Sequence, residues 1–141
     1  MRFFAGLNLW VLPLAAFVSF AFGGIWYNVL GERWKAALSR DGMMPSTIPM
    51  PQLLAATFLA ELVMAWMFAG VLLHLSHAGV PVTLRSGVIS ALFLWLGFIM
   101  MPLIVAHLYQ GAKRSLLLID GGHWLGVMIL QGAILGMLVL R

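Results

Sequence analysis

Glu61 is an acid inside a long apolar run, and its type and position call for an explanation. Insertion scales assign about 2.5–3.5 kcal/mol to an ionised side chain at mid-membrane, so such residues turn toward neighbouring helices. On a helix beginning near Pro51, Glu61 falls about ten residues in, close to mid-bilayer and level with Ser19 and Gln131. Two readings follow. The carboxyl is either a protonated clasp hydrogen-bonded between helices, or a proton, ion or substrate site.

A second polar group comprises Trp26, Asn28, His107, Tyr109, Asp120 and His123, where the first and third apolar runs end and the fourth begins. The spacing of Asp120 and His123 puts both on one face of a helix, and Gln131 extends that face deeper. Together they suggest either a ligand pocket or the capping of an interface; Asp120 would suit the N-cap of a fourth helix, with Gly121 and Gly122 allowing close packing. Pro102 should kink the third helix and free a carbonyl one turn earlier, shaping a cavity below His107.

His107 and His123 lie at comparable depth, the arrangement a pair of axial haem ligands requires. Interfacial histidines are common in helical hairpins and no paired or repeated pattern accompanies these two, so haem is not expected. His74 and His77 have no acid near them in sequence, and a metal site usually needs three or more ligands, so no metal is expected. No nucleophile with its base, phosphate-cradling glycine loop or metalloprotease helix is present. No catalytic residue is assigned, and an enzyme is disfavoured.

Long helices must carry these side chains. Of 141 residues, 63% are hydrophobic and 9% charged, against roughly a quarter charged in ordinary soluble domains. That surface must face lipid, where only helices and closed barrels satisfy the backbone. The uncharged runs are too long for barrel strands. A hydrocarbon core about 30 Å thick takes about 20 helical residues, which places spans near 6–30, 52–76, 87–110 and 117–139. The fold expected is an all-α integral membrane four-helix bundle forming one transmembrane domain. The first span is longer than a secretory signal core, so it is expected to be retained.

Between the first two spans, residues 31–50 form an interfacial loop. Arg33, Lys35, Ser39 and Arg40 surround Trp34, Ala37 and Leu38, a spacing that makes one apolar helical face. This short basic amphipathic segment should lie in the headgroup region with Trp34 as an anchor, and Pro45 to Pro51 should then run extended. Arg33, Lys35, Arg40, Lys113 and Arg114 share one side, whereas Arg2, Arg85 and Arg141 share the other. Basic residues are retained in the cytoplasm, so both termini are expected outside it, in a multi-pass protein of the bacterial inner membrane. The net charge of +4 is explained by topology and lipid headgroups, and nucleic acid is not an expected partner. Cysteine is absent, which removes disulfides, thiolate metal sites and thiol nucleophiles.

Small residues recur at four-residue spacing at Ala15, Ser19 and Gly23, at Ala65 and Ala69, and at Gly132 and Gly136. Such rows let helix backbones approach closely, within the bundle or between copies.

Ala21-Phe22-Gly23-Gly24-Ile25-Trp26-Tyr27 followed by Gly31-Glu32-Arg33-Trp34 resembles the Gly-x-x-Trp-Tyr and Gly-Lys-x-Trp pattern ending the first helix of the DUF1761 family of small bacterial membrane proteins. Trp95-Leu96-Gly97-Phe98, Leu117 to Trp124 and Gly132 to Gly136 are similar to its third and fourth helices. Glu32 stands where the pattern has Lys, and Met43 to Gly87 shows no recognisable pattern. The resemblance implies four helices and no chemistry.

The function expected is therefore a noncatalytic membrane protein, a homo-oligomer or an accessory subunit whose contacts are the lipid bilayer and other membrane helices. The alternative is a small-molecule or proton-coupled transporter using Glu61 and the layer around Asp120 and His123.

Overall fold

A computed structural model describes residues 6–38 and 47–140. Four helical stretches in it are long and apolar enough to cross a membrane: Val11–Leu38, Met50–His77, Leu84–Gln110 and Arg114–Leu138. They pack as an all-α membrane four-helix bundle. We number the helices α1 (Val11–Leu38), α2 (Met50–His77), α3 (Leu84–Leu94), α4 (Met101–Gln110) and α5 (Arg114–Leu138). A π-helical stretch, Trp95–Met100, joins α3 to α4 end to end.

Local chemistry sets the ends. Pro51 stands in the first turn of α2, where its missing N–H breaks no bond. Thr83 and Ser86 cap α3 reciprocally, each side chain accepting from the other's backbone N–H. Gly111, at φ 63°, closes α4 in the left-handed conformation, and Ala112 N–H reaches back to His107 O at 2.9 Å. The Pro102 ring cannot continue a regular ladder, and the widened π turn directly before it is where the third crossing absorbs that defect.

The main departure from the expected outline is at the end of the first crossing. Where the sequence suggested a loop from residue 31, α1 continues unbroken to Leu38, so Arg33, Trp34 and Lys35 are in its last turns. The expectation for Ser39, Arg40 and Pro45 lies outside the described residues, as do Arg2 and Arg141.

α5 is the hub. Its buried residues include Gly121, His123, Val127, Gln131, Gly132 and Leu135, and it packs against both α1 and α3. At the α3 contact the backbones nearly touch. A Cβ on Gly87 would collide with Gly132 O, and one on Gly136 with Thr83 O. The small-residue rows thus serve packing inside the protomer: Ala15, Ser19 and Gly23 on α1, Ala65 and Ala69 on α2, and Gly132 and Gly136 on α5 are all buried. Beyond the π stretch the third crossing loosens, and His107 is the buried residue of α4. Large apolar side chains cover the outside, among them Phe93, Phe98, Val105 and Leu108, as lipid requires.

Candidate functional site

Glu61 is fully buried in the middle of α2. Its carboxyl Oε2 lies 2.6 Å from Ser19 Oγ on α1. The carboxamide of Gln131, on α5, donates to Ser19 Oγ at 3.2 Å and to the Glu61 backbone carbonyl at 3.0 Å. Ser19 Oγ is also 3.0 Å from Ala15 O and 3.1 Å from Ala16 O, one turn back. All three residues are at 0% exposure, so the cluster joins three helices with no contact to the outside. Glu61 Oε1 and Gln131 Oε1 have no hydrogen-bond partner. Among the described residues, no ion pair involves Glu61.

The second group centres on Asp120. The carboxylate accepts at Oδ1 from the Tyr27 hydroxyl at 3.0 Å and from the Trp34 indole N–H at 2.9 Å. The extension of α1 to Leu38 is what brings Trp34 within reach. On the other side His107 Nε2 stands 3.6 Å from Oδ2. His107 Nδ1 is 2.8 Å from Leu103 O, and a carbonyl only accepts, so Nδ1 carries the hydrogen. Nε2 then presents a lone pair to Asp120 unless a second proton occupies it. It has no hydrogen-bond partner.

His123 packs one turn deeper. Its ring lies 4.9 Å from the Tyr27 ring and is nearly parallel to Phe22. Gly23 makes this possible, because a Cβ there would stand 2.8 Å from His123 Nε2. Gly122 reciprocally leaves room for the Trp26 ring, whose N–H donates to Ile119 O at 3.1 Å. On the α3 side Trp95 donates to Gly121 O at 2.9 Å. Glycines on each helix thus receive the rings of the other, and the indole N–H groups fasten the contact.

The two expected groups fare differently. Glu61, Ser19 and Gln131 come together, as do Trp26, His107, Asp120 and His123. Asn28 does not join them: it is exposed on the outer face of α1. Tyr109 also points away, 91% exposed at the end of α4. Asp120 is not an N-cap, since α5 begins at Arg114 with Lys113 at the cap. Tyr27 and Trp34 were missed as partners of Asp120; the hint lay in the two first-helix motifs, Tyr27 closing Gly-x-x-Trp-Tyr and Trp34 closing the pattern that begins at Gly31. His74 and His77 occupy the last turn of α2. Among the described residues, no three histidine or acidic side chains gather so as to hold a metal ion.

Compared with known proteins, the chain matches a family model described as "Protein of unknown function (DUF1761)" over residues 10–136. No match was found among curated proteins or among solved structures.

Proposed function

The chain belongs to the DUF1761 family, and on that footing we propose that it is a noncatalytic membrane protein, acting as a homo-oligomer or as an accessory subunit of a membrane complex, whose buried polar residues hold its helices together. In this reading it lies in a bacterial inner membrane, with the end bearing Arg33, Lys35, Lys113 and Arg114 toward the cytoplasm and both termini outside.

The observation that carries the reading is the closure of the Glu61 cluster. With a proton on Oε2, Glu61 donates to Ser19, Ser19 donates to the Ala15 or Ala16 carbonyl, and Gln131 donates to Ser19 and to the Glu61 backbone. Each side-chain hydrogen then has an acceptor, and the two oxygens left over are acceptors only. A transport site needs a path by which its proton or substrate arrives, whereas Glu61 has no exposed surface in the protomer.

A self-association surface is supported by the outer face of α1. Ala21, Gly24 and Asn28 are exposed there, with Gly31 in line along the helix, and a Cβ on Gly24 or Gly31 would meet nothing. A face of small residues with one carboxamide suits close approach of a second helix.

Native mass spectrometry of gently extracted Glu61→Gln beside the wild type tests the assignment. The amide keeps a hydrogen-bonding group, so the same copy number and partners are expected, and loss of assembly contradicts a neutral clasp. The proton-coupled transporter is the second reading, favoured by the unpartnered Glu61 Oε1. Uptake into proteoliposomes that disappears in Glu61→Gln would select it.

A further inference from the structure

Where α4 turns into α5, the loosened end of the third crossing leaves a cavity of about 430 Å³. Ile104 and Leu108 line it from α4, and Leu117 and Leu118 from α5. Two polar groups complete the wall. Arg114 is exposed at the mouth, and among the described residues its guanidinium has no partner. His107 is only 8% exposed; its Nε2 makes no hydrogen bond and faces Asp120 Oδ2 at 3.6 Å, so it adds polarity to the wall and no donor for the anion.

The backbone adds an independent attraction for an anion. α5 starts here without a side-chain cap. Leu116 and Leu117 N–H go to Lys113 O, which leaves the amides of Arg114 and Ser115 without acceptors among the described residues. Free N–H groups and the positive end of the helix dipole favour a negative group at such a start. The neighbouring cation, Lys113, is already committed, donating to Ala36 O at 3.1 Å.

We propose that this cavity is a binding site for one anionic phospholipid, with the phosphate held by Arg114 and the first amides of α5 and an acyl chain lying against Ile104, Leu108, Leu117 and Leu118. A free phosphate ion would account for the cation and the amides but not for the leucine and isoleucine wall below them. A zwitterionic lipid would suit that wall but bring its own choline cation beside the phosphate, leaving the guanidinium without a net counter-charge. The site lies at the end of the bundle where Trp34 meets Asp120 and Lys113 meets α1, among the basic residues that mark the headgroup level.

The full chain in nanodiscs of equal phosphatidylglycerol and phosphatidylcholine, released into native mass spectrometry, tests this. The wild type is expected to retain phosphatidylglycerol over phosphatidylcholine. Arg114→Gln should lower that preference about fivefold, the worth of one basic residue beside an anionic leaflet, and Arg114→Lys should restore it. Arg33→Gln, a charge at the same end but outside the cavity, should leave it unchanged. Equal retention of the two lipids by the wild type overturns the proposal, and so does an equal fall in both Gln variants. Added inorganic phosphate should not displace the lipid; displacement would make the site one for phosphate alone and overturn the lipid assignment.

Discussion

The indole of Trp34 donates to the carboxylate of Asp120 at 2.9 Å, joining the last turns of α1 to the second turn of α5. Tyr27 donates to the same oxygen from two turns earlier in α1, so Asp120 holds the last turns of α1 against α5. A helix of 28 residues spans about 42 Å, well over the roughly 30 Å of the apolar core. Its far end needs a fastening of this kind to stay helical against water.

Asp120→Ala should therefore loosen residues 31–38 first. Hydrogen exchange is expected to rise there while residues 11–24 stay protected, with a global loss of about 1–3 kcal/mol from two stranded donors. Tyr27→Phe removes one donor and should cost about 1 kcal/mol. Uniform exchange along α1 in Asp120→Ala would show that the fastening is immaterial.

The α3–α5 contact allows a sharper contrast between glycines. Gly87→Val places a side chain against the backbone of Gly132 and Gly136, and backbone cannot swing aside, so overpacking should cost about 1–3 kcal/mol or separate the helices. Gly97 faces open space. Gly97→Ala should be neutral or gain up to about 1 kcal/mol of helix propensity. Thermal unfolding in detergent measures both, and equal midpoints for the two variants would count against this packing.

The count of crossings was legible because uncharged run length against bilayer thickness is a one-dimensional matter. The meeting of Glu61 with Ser19 and Gln131 was legible for a related reason. Helix rise fixes depth once each start is placed, and buried polar groups in lipid seek one another at equal depth. Azimuth is not fixed in that way. Asn28 has the right depth for the Asp120 layer and faces outward, because α1 turns Phe22, Gly23 and Trp26 toward α5. Trp34 read as an interfacial anchor in a loop. A glutamate, an arginine and a lysine around it look like solvated linker, and only its tertiary partner Asp120 shows why the helix runs on.

The same outward face of α1 yields a prediction for assembly. Gly24→Leu starts its side chain where a Cβ meets nothing within 4 Å among the described residues, so the monomer should fold normally. If copies associate through Ala21, Gly24 and Asn28, their affinity should fall about tenfold or more, a change of at least about 1.4 kcal/mol. Copy number by native mass spectrometry reads the outcome. An unchanged oligomer would move the interface elsewhere.

The most direct test of the account is a double-mutant cycle between Ser19→Ala and Glu61→Leu, read as unfolding free energy in lipid micelles. If the two side chains clasp α1 to α2, the cycle should return a favourable coupling of about 0.6 kcal/mol and at most about 1.7, the range of interhelical hydrogen bonds in membranes. A coupling of zero, with each single variant as stable as the wild type, would contradict a structural role for Glu61.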